Sequence, residues 1–174
     1  MNFFKVPGSF FLIVTTTLLV ACGGGGGSDS FVGAGNISVQ VSPKTVDTGD
    51  RVKVTAEFSD LHPDGVSIKF RYPSGLVYIA DTSIWTIDNR DIDGAPSIET
   101  AADQTQSTFL VYYLGRDLLD DNDSGSIEFE LRGVSATSEN SKIEVDIDVL
   151  EADPEFSADN PEFSAEDSAD LRVK

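Results

Sequence analysis

"RVKVTAEF", residues 51–58, sets the reading of this chain. Val52, Val54, Ala56 and Phe58 alternate with Arg51, Lys53, Thr55 and Glu57, so an extended backbone sends the apolar side chains to one face and the polar ones to the other. The same period of two runs through Ile37, Val39 and Val41, through Val66, Ile68, Phe70 and Tyr72, and through Phe109, Val111 and Tyr113. It returns in Ile127, Phe129 and Leu131 and in Ile143, Val145, Ile147 and Val149. Each segment reads as a strand with one buried and one wet face, the pattern of antiparallel sheets.

Turn chemistry separates these segments: Thr48-Gly49-Asp50, Pro63-Asp64-Gly65, Pro73-Ser74-Gly75, Asp93-Gly94 and Ser124-Gly125. No stretch sustains a 3.6-residue apolar period with caps, although Asp117 to Asp120 suits one helical turn. Many short strands with regular turns predict an all-β, immunoglobulin-like antiparallel sandwich of about seven to nine strands over residues 37–174. The segment Asp81 to Gln106 is long and acidic for that pattern, and its strands are not assigned.

Ahead of the predicted domain, Lys5, the apolar run Phe10 to Val20 and Ala21 read as a secretory signal over residues 1–21. The apolar run is short and threonine-rich for a membrane span. Leu19-Val20-Ala21-Cys22 resembles the lipobox of bacterial lipoproteins, which implies that Cys22, the single cysteine, becomes a diacylated N-terminus after cleavage. An ordinary signal peptide with an incidental thiol is the alternative, and it leaves an odd cysteine in an exported chain unexplained. Two or three acyl chains, at about 0.8 kcal/mol per buried methylene, anchor a protein that does not span the bilayer. Gly23 is not the aspartate that resembles an inner-membrane retention signal, so the outer membrane is the expected address in a diderm bacterium. Residues 22–36 then form a Gly-rich tether, roughly 20 Å in root-mean-square span.

Thirty acidic residues stand against 12 Lys and Arg, for a net charge of −18. Such a surface repels phosphates, which argues against nucleic-acid binding and favours cations or basic partners. With one cysteine there is no intramolecular disulfide, so packing alone must hold the domain.

The stretches Val46-Asp47-Thr48-Gly49-Asp50-Arg51-Val52-Lys53-Val54 and Phe70-Arg71-Tyr72-Pro73-Ser74-Gly75-Leu76-Val77-Tyr78 carry a resemblance. Together with Leu114-Gly115 and Ser124-Gly125-Ser126-Ile127, they resemble the conserved bacterial repeat domain called domain of unknown function eleven. The aspartate- and asparagine-rich passage Asp153 to Val173 is similar to that family's ending. Cohesin-like modules share the "GD.V.V...F" opening and the "Y.P..L" step. The resemblance covers roughly residues 37 to 173; it implies adhesion, spacing or assembly at a cell surface and supplies no catalytic residues.

Several clusters invite chemistry. Asn89, Asp91 and Asp93 sit at alternate positions before Gly94, as in the first half of a calcium loop, with Glu99 one place short of the bidentate position. Asp120, Asp121 and Asp123 lie in a second acid-rich run that suits either calcium or a hairpin connection. Calcium is thus the one cofactor the sequence raises, against the plainer reading of solvated acidic loops. Trp85 suits either a sugar-binding platform or core packing, since Ile87 shares its parity. The repeat Pro154-Glu155-Phe156-Ser157-Ala158-Asp159, echoed from Pro161, reads as a pinned loop or a docking strip. His62 is the only histidine and sits beside Pro63, which gives no triad to build on. The sequence therefore points to a non-enzymatic envelope module that binds another envelope protein or a polysaccharide. A calcium-dependent or carbohydrate-binding adhesive module comes second, and a secreted hydrolase third.

Overall fold

The computed structural model describes residues 34–92, 94, 96–100, 108–119, 123–150 and 166–174, with the side chains of residues 99 and 100 set aside. Cys22 and its tether lie outside the described residues, as do Asp93, Asp120, Asp121 and the repeat at 154–165.

Strands appear where period-two alternation predicts them: β1 (Asn36–Ser42), β3 (Arg51–Ser59), β4 (Gly65–Tyr72), β9 (Thr108–Gly115), β10 (Gly125–Gly133) and β11 (Lys142–Val149). Shorter segments complete the set: β2 (Thr45–Val46), β5 (Leu76–Tyr78), β6 (Ile84–Ile87), β7 (Arg90–Ile92), β8 (Ser97–Thr100), β12 (Asp167–Asp170) and β13 (Arg172–Val173). They form two stacked antiparallel sheets. The first runs β1-β3-β10-β6-β7 with β5 also on β10; the second runs β12-β11-β4-β9-β8. β13 pairs in parallel with β2, matching Arg172 to Thr45 and Val173 to Val46.

The inward faces interdigitate as expected of a sandwich. Val52, Val54 and Ala56 from β3, Ile68 and Phe70 from β4, Leu110 and Tyr112 from β9, and Ile127 and Phe129 from β10 are all at most 1% exposed. Phe70, at the centre, meets Phe129 edge-on at 5.0 Å and Tyr112 edge-on at 5.7 Å, the geometry that aromatic quadrupoles favour. β10 changes neighbours part-way along: the Ile79 amide donates to the Glu130 carbonyl, and the Glu130 amide to Thr82 Oγ1. The connection from β5 to β6 thereby keeps the ladder bonded, as buried backbone requires. Gly125 is where β10 and β6 approach closely; a Cβ there would lie 1.9 Å from the Thr86 carbonyl oxygen.

The registers sort the connections into two ends. Chain entry at Asn36, the 60–64 turn, the 88–89 turn and the 116–124 connection share one end. Residues 43–50, the 73–75 turn, 134–141 and the β13 strand share the other. At the flank where β1 and β12 meet, the Val39 amide donates to Asp167 Oδ2 at 2.7 Å, which ties the two sheets together along their edges.

Candidate binding surfaces

At the entry end, the two acidic segments singled out in the sequence come together. Asp88 and Asn89, with φ of 46° and 62°, make the two-residue turn between β6 and β7. Both residues in the left-handed region is the signature of a type I′ hairpin, and short Asx side chains tolerate it. Asn89 is therefore a turn residue, while Asp91 lies exposed on the edge strand β7. Glu99 falls on β8, at the far side of the second sheet.

Asp123 is 2% exposed and sits beside that turn. The Asp88 amide donates to the Ser124 carbonyl at 2.9 Å, and the Ser124 amide returns a bond to Asp88 Oδ1 at 3.2 Å. That amide first, then a hydrogen bond from Asp123 and the nearby Arg90, hold the Asp88 carboxyl below its ordinary value. Arg90 lies 3.9 Å from Asp123, and the Asp123 carbonyl accepts from the Leu61 amide at 3.2 Å. The cluster thus laces three connections together. Among the described residues, no group of three or more His, Cys, Asp or Glu is placed to hold a metal ion.

Trp85 lies in the core, 5% exposed. Its ring meets Tyr112 edge-on at 4.8 Å, and Gly94 packs within reach of its Cζ2 and Cη2 atoms. The ring is not presented to solvent, and its Nε1 finds no hydrogen-bond partner among the described residues. Tyr112 reaches Ser83 Oγ at 2.8 Å, and Ser83 meets the Tyr78 hydroxyl at 2.9 Å, so a short hydroxyl chain runs outward from the core. Burial raises the Tyr112 hydroxyl well above the ordinary phenol range and pushes Tyr72 up to about 12. His62 sits in the 60–64 turn, where its Nδ1 accepts from the Asp64 amide at 3.2 Å.

The outward face of the second sheet departs from the wet surface that alternation predicts. Ser67, Lys69, Phe109, Val111 and Asp146 point away from the sandwich core yet are at most 3% exposed. Lys69 Nζ stands 3.4 Å from Asp146 Oδ2 and 2.5 Å from Asp148 Oδ2, and Arg71 Nε donates to Glu144 at 2.7 Å one step along the same strands. A buried cation needs such partners. Nearby Glu166 is raised, by partial burial first and then by the charges of Asp146 and Asp148. Sequence reasoning missed this cluster because charged residues between apolar ones signal solvent, and it took Phe109, Val111 and Tyr113 for the core face of β9, where Leu110, Tyr112 and Leu114 face the core and Tyr113 is 38% exposed.

No protein-family model matches the chain, and no curated protein resembles it in sequence. Solved structures resemble it in fold. The T6 backbone pilin of serotype M6 Streptococcus pyogenes superposes with a TM-score of 0.52 at 8% identity, over 80% of this chain and 36% of that one. The major pilin SpaA of Corynebacterium diphtheriae gives 0.48 at 16% identity, over 78% of this chain and 35% of that one. The N-terminal domain of the Streptococcus gordonii adhesin Sgo0707 gives 0.48 at 12%, over 66% of this chain and 29% of that one. At such identities the likeness concerns the fold. It agrees with the immunoglobulin-like antiparallel sandwich built above.

Proposed function

We propose that this chain is a lipid-anchored cell-envelope protein whose sandwich acts as a non-catalytic module for adhesion or assembly. The observation that carries the reading is the order of parts: a lipobox-like stretch ending at Cys22, a run of five glycines, then a domain with the fold of a backbone pilin. Acyl chains on Cys22 would hold the protein to the outer membrane, and the glycines would give the domain freedom to meet an envelope protein or polysaccharide. Metabolic labelling with an alkyne fatty acid tests the anchor. The wild-type chain should carry label and be processed, whereas Cys22→Ser should accumulate as an unlabelled precursor; label that survives the substitution overturns the reading.

A second reading, calcium-dependent adhesion, draws on the approach of Asp88 to Asp123, which brings the two acid-rich segments side by side. Calcium at millimolar concentration should then raise the melting temperature by mass action. An unchanged melting curve removes it.

A further inference from the structure

Among the described residues Lys69 is the one lysine that is buried, mid-strand on β4 and on the face that looks away from the sandwich core. Its side chain is 2% exposed, and that of Asp146, directly opposite on β11, is 1% exposed. Nζ stands 3.4 Å from Asp146 Oδ2 and 2.5 Å from Oδ2 of Asp148, whose side chain is 47% exposed. One carboxylate at the ammonium is dry and the other reaches water.

A third acid completes the row. β12 pairs with β11 at Val145 and Asp167, and the Glu166 amide donates to the Val145 carbonyl at 2.9 Å. The next step of that register sets Glu166 opposite Asp146, so Lys69, Asp146 and Glu166 stand in line across three adjacent strands. Glu166 is exposed at the outer end of the row, and its raised carboxyl favours the protonated form. The Arg71 and Glu144 pair on the same two strands differs on both counts: a guanidinium is no nucleophile, and both side chains reach solvent.

An ion pair held out of water bears the desolvation cost of both charges, whereas an amide joining the same side chains carries no charge. In water the ions are the favoured side of that equilibrium; in a dry site the balance tilts toward the amide. Fixed geometry adds the high effective concentration of an intramolecular reaction. Lysine is the side chain whose amine forms such bonds once desolvated.

We propose that Lys69 and Asp146 condense to an intramolecular isopeptide bond that locks β4 to β11. Asp148 takes one proton from the Lys69 ammonium, and Glu166 passes its proton to a carboxyl oxygen of Asp146. The Nζ lone pair then forms the C–N bond at Asp146 Cγ, and the nitrogen returns a second proton to Glu166. The C–O bond breaks as the hydroxyl leaves with the proton held on Asp148, as water. One positive and one negative charge are lost, nothing is oxidised or reduced, and Asp148 and Glu166 end as they began. Because the two residues are distant in sequence, the bond closes a long loop and restricts the unfolded chain as a disulfide would.

Tryptic digestion of the full chain followed by mass spectrometry tests the bond without any substitution. Wild-type protein should yield Val54–Arg71 joined to Ile143–Arg172, lighter than the two together by one water, because trypsin does not cut after a lysine whose amine is in an amide. Fragment ions should place the junction on Asp146. Free Val54–Lys69 as the main product from folded protein overturns the proposal, and a junction on Asp148 overturns the assignment to the dry carboxylate. K69R, which keeps the charge but offers no amine, and D146A should both lose the joined peptide, with Trp85 emission reporting the fold. Should neither variant fold, E166Q changes only an exposed side chain and should slow the appearance of the joined peptide at least about tenfold in chain made by cell-free synthesis. An unchanged rate overturns the proton route through Glu166. Both peptides lie clear of Cys22, so the result is independent of lipid labelling.

Discussion

Lys69 and Asp146 face each other directly across β4 and β11, both almost fully buried, on the side of the sheet that looks away from the sandwich core. Their separation of 3.4 Å, with Asp148 closer still to the same ammonium, makes this the one buried ion pair among the described residues. Removing Lys69 takes the shared ammonium from both carboxylates while Asp146 stays buried. Lys69→Met should therefore cost about 3–5 kcal/mol in a urea melt, and Lys69→Met/Asp146→Leu should recover much of it. A neutral single substitution would show that the pair is not desolvated.

Gly125→Ala should destabilise by roughly 2 kcal/mol or more, because the new methyl would meet the Thr86 carbonyl and the Phe58 ring before β10 and β6 could pair. Gly49→Ala provides the contrast: nothing lies within 4 Å of its Cβ position, so its cost should come only from a φ of +100°. Chemical denaturation of the two variants side by side checks the difference. A cost at Gly125 no larger than at Gly49 would mean that β10 and β6 can part to admit the methyl.

The single tryptophan makes its own reporter. With Trp85 5% exposed, its emission should be blue-shifted, resist iodide quenching and move to the red on unfolding. Free access of iodide in the native state would restore the sugar-platform reading that burial disfavours.

Alkaline titration should separate the tyrosines. Tyr72 and Tyr112 have hydroxyl values raised by burial, so their tyrosinate absorbance should appear only near or beyond about pH 12. A raised native value means that stability is complete below the unfolded tyrosine value of 10.0 and declines as pH climbs from there toward 12. Asp88 runs the other way: its lowered value adds stability above 3.8 that is lost as pH falls through the folded value. Asp88→Asn should therefore flatten the acid limb of a melting-temperature profile and leave the alkaline limb unchanged.

Alternation made β1, β3, β10 and the inward faces of β4 and β11 legible, because the period of two survives in the sequence, but on β9 it selected Phe109, Val111 and Tyr113 where Leu110, Tyr112 and Leu114 face the core. It misjudged the outward face of β4, where Ser67 and Lys69 are as buried as Val66 and Ile68, because a lysine buried against Asp146 and Asp148 carries the same polar signature as a solvated one. The short strands β5 to β8 were illegible for a different reason: three or four residues carry too few alternations to register a period. The Asp88-Asn89 turn was hidden in plain view, because the Asx residues that suit a left-handed turn are also those that suit calcium. The convergence of Asp88 with Asp123 depends on register, which no local pattern encodes.

The pairing of Val173 with Val46 and of Arg172 with Thr45 bears on how the protein reaches its fold. β2 waits for a partner more than a hundred residues further along the chain, and β3 waits for β10. Most ladders of this kind close large loops, which slows folding and leaves strand edges open meanwhile. A chain emerging amino end first cannot seal Leu171 and Val173 into the core until more than a hundred residues after β2 have followed. Until then the acidic sequence offers mutual repulsion between partly folded copies, so the charge that tunes the finished surface also protects the unfinished one.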